Sequence, residues 1–276
     1  YPAIVEPLTS ILSRIPWGIL TNEASRQLLR HRGTALWKEG KWDIRPIGCR
    51  QPLLSITGHM VNTRAEKDIA TLSGPRQVGG RVRGAAEVTP HLLRSTLQAR
   101  KDWIAAHRDA INAWGNMYRW ATLMSSALAM GYKSEFASYA QWEMGGAPSE
   151  LVFEDPKTRT TVIIKRTEGC VQGGNISGSA FNVLQAIVVR EVYRNGTHRV
   201  DPGPEELEDV ICMYDDTYLY GTPRLVMERT KMLERALAEV GIQYHRDKKR
   251  NIYGYGNQYT EADKRRAARM GYKWLD

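Results

Sequence analysis

The sequence predicts an α+β protein, a largely antiparallel sheet with helices packed on one face, and three observations carry that expectation. An apolar strand, Trp103-Ile104-Ala105-Ala106-His107-Arg108, ends at Asp109. Two hairpins follow it, one with arms at 151–153 and 160–164 around Asp155-Pro156-Lys157-Thr158, the other with arms at 209–214 and 217–220 around Asp215-Asp216. Helical periodicity fills the intervals, giving the order strand, helix, hairpin, helix, hairpin, helix, strand.

The elements can be justified in turn. Residues 1–100 are basic and rich in Gly and Pro, as in Lys38-Glu39-Gly40-Lys41-Trp42-Asp43-Ile44-Arg45-Pro46-Ile47, and read as irregular apart from helices over 21–32, 52–69 and 85–100. After the strand at 103–108, a helix over 119–130 is stopped by Gly131. The run Gly173-Gly174-Asn175-Ile176-Ser177-Gly178 precedes an apolar helix over 180–194. It lacks the Lys-Ser/Thr ending of a phosphate-binding P-loop. Thr222-Pro223 offers an N-cap with Pro at the first helical position, and Val226, Thr230, Leu233, Leu237 and Val240 recur at helical spacing before Gly241. The reading is therefore a basic, mainly helical or irregular region, 1–100, followed by an α+β domain, 101–276.

Composition narrows the class of partner without naming one. Thirty-nine Lys and Arg against 30 Asp and Glu give a net charge of +9, which suits a polyanion. Cys49, Cys170 and Cys212 are far apart, match no zinc spacing or disulfide framework, and fit a reducing, intracellular compartment. No apolar run approaches the roughly 20 residues of a membrane span, so no membrane partner is expected. The start, Tyr1-Pro2-Ala3-Ile4, has neither Met nor a signal peptide and reads as an excised fragment. Asn175-Ile176-Ser177 and Asn195-Gly196-Thr197 are taken as chance matches to the glycosylation pattern.

The chemistry concentrates at Asp215-Asp216, the chain's one Asp-Asp pair, within Ile211-Cys212-Met213-Tyr214-Asp215-Asp216-Thr217-Tyr218-Leu219-Tyr220. Two carboxylates at the tip of an apolar hairpin repel each other and lose hydration, so their ionised state calls for a cation. Hard oxygen ligands suit Mg²⁺ or Mn²⁺, and two such ions about 3.5–4 Å apart are a recurrent device for phosphoryl transfer. The competing reading is a turn with two acidic turn residues. A two-ion site needs a further carboxylate, for which Asp109 at the strand end is the candidate. An N-cap for the following helix is its other reading.

Ordered motifs then point to a family. Asp109-Ala110-Ile111-Asn112-Ala113-Trp114-Gly115-Asn116, Glu168-Gly169-Cys170-Val171-Gln172-Gly173-Gly174-Asn175-Ile176-Ser177-Gly178-Ser179-Ala180-Phe181-Asn182 and Tyr214-Asp215-Asp216-Thr217 resemble motifs A, B and C of reverse transcriptases, in order and at suitable distances. Gly241-Ile242 with Lys248-Lys249 resembles motif D, and Gly271-Tyr272-Lys273-Trp274-Leu275 the start of motif E. Arg45-Pro46-Ile47 and Gln77-Val78-Gly79 through Gly84-Ala85-Ala86-Glu87 are similar to fingers segments of non-LTR retrotransposon enzymes, closest to the trypanosome site-specific type.

The resemblance implies a polymerase palm over 101–276, with some fingers elements within it, preceded by fingers over 1–100, with the thumb absent, and RNA-directed DNA synthesis from an RNA template, a DNA primer and dNTP. It makes Asp109, Asp215 and Asp216 the catalytic acids at two Mg²⁺ ions, Asp109 and Asp215 as the ligands and Asp216 beside them as an auxiliary acid, with Mn²⁺ able to substitute. Arg45, helped by Lys38 or Lys41, would bind the triphosphate. Ala110 and Trp114 would flank the nucleotide, Trp114 excluding a 2′-hydroxyl. Gln172 and Gly173 would lie under the templating base pair, and Lys248 would protonate pyrophosphate, with Lys249 the alternative by one residue. A nuclear location follows if the source is a eukaryotic retrotransposon. Without the resemblance, Trp114 is a core aromatic and Arg45 a residue of a solvated basic loop.

Three departures accompany the likeness. Met213-Tyr214 stands before the acids where the family has Tyr-Ala, motif B lacks the family's acid and both prolines, and His107-Arg108 is more polar than the usual approach to the motif A aspartate. Two other functions share the features: an RNA-directed RNA polymerase, which a bulky Trp114 disfavours, and a degenerate palm that binds RNA as a scaffold.

Overall fold

The computed structural model describes residues 2–37, 44–74, 76–79, 82–146, 149–194, 208–245, 251–254 and 259–275. Lys38, Lys41, Lys248, Lys249 and Asn195-Gly196-Thr197 lie outside the described residues. In chain order the elements are α1 (Pro2–Arg14), a 3-10 turn (Ile15–Trp17), α2 (Asn22–Leu28), β1 (Arg30–Trp37), β2 (Ile44–Cys49), α3 (Pro52–Arg64), α4 (Glu66–Ser73), α5 (Ala85–Ala99) and β3 (Ile104–Asp109). There follow α6 (Ala113–Asn116), α7 (Arg119–Met130), α8 (Glu135–Gly145), β4 (Ser149–Glu154), β5 (Thr161–Arg166), α9 (Ser177–Arg194), β6 (Glu208–Met213), β7 (Asp216–Gly221), α10 (Pro223–Ala238), β8 (Asn251–Gly254), α11 (Glu261–Arg269) and β9 (Lys273–Leu275). The fold is mixed α+β, as the hydrophobic patterning predicts.

The chain divides into two compact units, each built from two stretches of sequence: Tyr1–Ile69 with Trp114–Leu184, and Ala70–Ala113 with Gln185–Asp276. The first contains a four-stranded sheet in the order β2-β1-β4-β5. Strands β1 and β2 are antiparallel, with Leu36 opposite Arg45, while β1 runs parallel to β4 over only three pairs, Arg30–Arg32 against Glu150–Val152. Apart from residues 30–32, these two strands fall where the sequence reads as irregular. The helix expected over 21–32 starts at its N-cap, where Thr21 Oγ1 accepts from Ala24 N at 3.2 Å, but ends at Leu28. Residues 30–32 pair instead with a strand about 120 positions away. Such long-range pairing overrides local helix propensity. The helix expected over 52–69 is broken at Ala65 into α3 and α4.

Helices α7 and α8 pack together, and the unit buries Ile15, Leu54, Phe136, Tyr139 and Phe181. It also buries charge. The Arg50 and Glu143 side chains are 2% and 4% exposed and form an ion pair, with Arg50 Nη1 donating to Glu143 Oε2 at 3.1 Å. Burial opposes the Arg50 charge, yet the Glu143 carboxylate more than offsets it and holds the guanidinium above its ordinary range. Arg119 donates to the Gly169, Met144 and Arg166 carbonyls at 3.2, 3.2 and 3.0 Å, fastening the segment that leads into Gln172-Gly173. Arg166 is half-buried beside it, and desolvation lowers its pKa to about 10.

The second unit carries a five-stranded sheet in the order β6-β7-β3-β8-β9, antiparallel except for β8 with β9. The expected strand at 103–108 is β3, and the expected hairpin at 209–220 is β6–β7. The other expected hairpin, β4–β5, joins the first unit's sheet through β1. One face of the second sheet meets α5, where Leu93 and Leu97 cluster with Trp103, Ala105 and Ile211. Helix α10 packs on β3 and β7 and buries Leu225, Val226, Met227, Leu233 and Leu237. It begins at Thr222-Pro223 as expected, although Thr222 makes no side-chain cap. Helix α11 starts with a capping box in which Thr260 Oγ1 accepts from Asp263 N at 3.1 Å and the Asp263 carboxylate accepts from Thr260 N at 3.0 Å. Only Ala267 of α11 is buried, so it has no apolar stripe to reveal it. No described helix is long and apolar enough to cross a membrane.

His31, 1% exposed, has both ring nitrogens buried without a hydrogen-bond partner among the described residues. Burial, reinforced by the charges of Arg50 and Arg166, lowers its pKa from 6.5 to about 4. Between those values the unfolded chain takes up a proton that the folded chain refuses, so stability must fall as pH drops through that window. Denaturant unfolding followed from pH 7 to pH 4 should show a loss of about 3 kcal/mol attributable to this group, and His31→Leu should remove that part of the slope.

Candidate functional site

The last residue of β3 and the first of β7 face each other. The antiparallel register sets Asp109 opposite Asp216, Arg108 opposite Thr217 and His107 opposite Tyr218. Directly opposed residues of an antiparallel pair project from the same face, so Asp109 and Asp216 share one. Asp215, in the turn between β6 and β7, accepts through its carbonyl from Ala110 N at 3.1 Å. The Asp109 carbonyl accepts in turn from His245 N at 3.0 Å. Ala110 is 4% exposed and bridges to Tyr244, which closes the segment after β3 on its other edge.

The turn itself is strained. Tyr214 has φ +52°, a left-handed conformation costing a non-glycine residue about 1–2 kcal/mol. A strap formed by 76–79 offsets it. Cys212 N donates to the Arg76 carbonyl at 2.6 Å and Val78 N to the Cys212 carbonyl at 2.8 Å. Gln77, 1% exposed, accepts through Oε1 from Gly79 N at 2.9 Å and from Tyr214 N at 3.3 Å, while its Nε2 donates to Gln185 Oε1. Gln185 Nε2 continues to Thr217 Oγ1 at 3.3 Å, which pairs with Tyr244 OH at 2.7 Å. A Cβ on Gly79 would come within 2.5 Å of Tyr214 N, so only glycine lets the strap approach the turn this closely.

The two polar residues before Asp109 each have a partner. His107 Nε2 lies 2.8 Å from Asp216 Oδ1, and its ring stacks on Tyr218 at 4.5 Å and 7°. On the opposite face Arg108, 1% exposed, pairs with Glu234 of α10 at 2.5 Å and lies over the Tyr244 and Tyr272 rings at 5.3 and 5.7 Å. Burial, and then the Asp216 charge, push the Tyr218 hydroxyl up to about 12. Tyr244 is driven up further by burial.

Three aspartates offer hard carboxylate oxygens, a donor set that fits Mg²⁺ or Mn²⁺. Register brings Asp109 and Asp216 together, and Asp215 is tied in by its main chain. No three His, Cys, Asp or Glu side chains among the described residues are already gathered into a metal-holding cluster.

The remaining sequence candidates among the described residues belong to the first unit. Arg45 is exposed on β2. Trp114 lies in α6, tilted against Phe181 at 5.8 Å, and its carbonyl accepts from Cys170 N at 2.6 Å. The Gln172 carbonyl accepts from Gly48 N at 3.0 Å. Gly173 has φ +96°, a conformation suited to glycine. Lys38, Lys41 and Lys248 are outside the described residues. Sequence reasoning missed His107 as a partner of Asp216, named Gln77 and Thr217 only as parts of motif-like segments, and missed Gln185 and Tyr244. A polar residue at an otherwise apolar strand position, such as His107, was the one available signal.

No family model matches the sequence, and no curated protein matches it. Solved structures do share its fold. Apo telomerase from Candida tropicalis, truncated from the C-terminal domain, superposes with a TM-score of 0.60 at 11% identity over 85% of this chain and 51% of that one. Telomerase from Candida albicans in complex with the TWJ fragment of telomeric RNA gives 0.59 at 10% identity, covering 88% of this chain and 45% of the other. The BmCPV RNA-dependent RNA polymerase at the elongation state gives 0.59 at 11% identity, covering 82% of this chain and 21% of the polymerase. The chain thus has a polymerase-like fold and spans about half the length of the telomerase chains it matches.

The strap makes its own prediction. Gln77→Ala leaves the Tyr214 N–H and the Gln185 amide without their buried partner, a loss of about 2–3 kcal/mol. Hydrogen exchange should then speed selectively at Cys212–Asp216 amides, with α10 amides unchanged; unchanged protection of Tyr214 would show that the strap does not hold the turn.

Proposed function

We propose that the chain is the fingers-palm core of an RNA-directed DNA polymerase. The observation that carries the reading is the register that sets Asp109 opposite Asp216 with Asp215 in the adjoining turn. The shared fold of telomerase and of a viral RNA polymerase supports the coarser statement of a nucleotidyl-transferring polymerase, and the ordered motifs support the finer one. In this reading the second unit is palm and the first is fingers, with Trp114–Leu184 of the first unit as the fingers elements expected within 101–276. A non-LTR retrotransposon origin, and with it a nuclear site of action, belongs to the same proposal.

Bound Mg²⁺ or Mn²⁺ would supply a lowered pKa for the primer 3′-hydroxyl and charge neutralisation for departing pyrophosphate. Asp109, Asp215 and Asp216 would hold the ions, and the strap and register would keep those acids placed between turnovers. Arg45, with Lys38 or Lys41, would grip the triphosphate as a charge-assisted pair. Ala110 and Trp114 would bound the sugar, Gln172 and Gly173 would support the templating pair, and Lys248 would hold a proton for pyrophosphate. The RNA in the Candida albicans telomerase complex supports an RNA template; the DNA primer and dNTP rest on the motifs.

An RNA-directed RNA polymerase is the second reading, favoured by the BmCPV enzyme, which superposes as well as the telomerases do. Nucleotide choice separates the two. Incorporation of dTTP on poly(rA)/oligo(dT) with Mg²⁺ is expected to fall roughly a hundredfold or more in Asp109→Asn and in Asp215→Asn. Equal activity of those variants and the unsubstituted chain would sink the polymerase reading. In competition, dNTP should be preferred over rNTP, and Trp114→Val should relax that preference roughly ten- to a hundredfold; an initial preference for rNTP selects the second reading.

A further inference from the structure

The assignment of the three aspartates leaves His107 unexplained, and its surroundings are specific. It occupies an interior position of β3, two residues before Asp109, where burial on both sides favours an apolar residue. Its side chain is 9% exposed. Nε2 meets Asp216 Oδ1 at 2.8 Å. Nδ1 is buried with no hydrogen-bond partner among the described residues. A carboxylate only accepts, so Nε2 carries a proton and donates it to Asp216. The ring cannot swing away, because it lies flat on Tyr218 at 4.5 Å and 7° and meets Tyr253 at 6.5 Å and 36°. An unpartnered buried Nδ1 is a cost that an apolar residue would avoid. What the histidine provides in exchange is one directional hydrogen bond to one acid.

We infer that His107 is a positioning residue for the acid pair: it fixes Asp216 Oδ1 and so sets the carboxylate's orientation toward the face shared with Asp109, which governs how tightly that face holds a divalent ion. This rests on the metal role proposed above for Asp109 and Asp216. The inference adds a residue that touches neither ion nor nucleotide, fastened to the sheet by an aromatic stack. Outer partners of metal-ligating side chains act in this way, and their removal weakens metal affinity by about 10–100-fold. Arg108 does not share the role, since its side chain lies on the opposite face with Glu234.

The test uses the full chain and Mn²⁺ alone, with bound ion read by electron paramagnetic resonance in the absence of nucleotide. His107→Phe keeps a ring for Tyr218 but has no donor, and its Mn²⁺ affinity should fall by about tenfold or more. His107→Gln places an amide N–H where Nε2 was and should recover most of the binding. If circular dichroism shows that His107→Phe does not fold, His107→Asn replaces it. Its amide sits near the Nδ1 position, out of reach of Asp216, and the same loss is expected. A merely structural role would leave Mn²⁺ affinity unmoved in the folded variants. Unaltered affinity in His107→Phe, or an equal loss in His107→Gln, overturns the inference alone. Absence of Mn²⁺ binding by the unsubstituted chain overturns both this inference and the metal role it rests on.

Discussion

The pairing of β3 with β7 is the constraint on which the second unit depends. Side chains on a strand alternate between faces, so a slip of one residue would carry Asp109 to the face opposite Asp216. The correct register is also the less comfortable one, because like charges directly opposite each other on neighbouring strands destabilise the pair. The unit is built to hold that register against the repulsion. Main-chain bonds fix Ala110 to Asp215 and Asp109 to His245. Arg108 anchors the strand from the far face through Glu234. Thr217, opposite Arg108, is held by Tyr244 and Gln185.

The polar departures from the family pattern acquire a physical meaning from this arrangement. His107 and Arg108 make the approach to Asp109 more polar than a buried strand needs, yet each has a carboxylate partner on its own face. Tyr214, displaced to the position beside the acids, takes a left-handed conformation, and the Gln77-Gly79 strap stabilises the turn from outside the hairpin. The first unit shows the same habit of burying charge with partners. Glu143 satisfies Arg50, and backbone carbonyls satisfy Arg119 near the glycine-rich segment. In both units the segments that carry the motifs are fastened by buried polar contacts, which fix geometry more sharply than apolar packing does.

What was legible in the sequence is what short-range physics decides. The run ending at Asp109, the hairpin at Asp215-Asp216, the Thr222-Pro223 helix start and the helix over 119–130 all appear within a residue or two of their expected places. What was hidden depends on distant partners. Strands β1 and β2 lack a clean alternation and exist because β1 finds β4. Helix α11 is polar on nearly every side and declares itself only by its cap. The strap at 76–79 reads as a basic glycine loop until Cys212 is seen to bond it. The interleaving of the two units follows from which strands share a sheet, and periodicity carries no information on that. For the candidate site, the acids were visible by type and order. Their mutual register and the His107 contact were not, because both are set by the opposing strand.

The proposed function stands on the β3–β7 register making a divalent-ion site of these aspartates. Its most direct test is a crystal structure of the chain grown with Mn²⁺, with the ion located by its anomalous signal. The expected result is a peak coordinated by carboxylate oxygens of Asp109 and of the Asp215-Asp216 turn at about 2.1 Å, with His107 still bonded to Asp216. A fully occupied Mn²⁺ elsewhere with these aspartates bare, or a register in which Asp109 no longer faces Asp216, would contradict it.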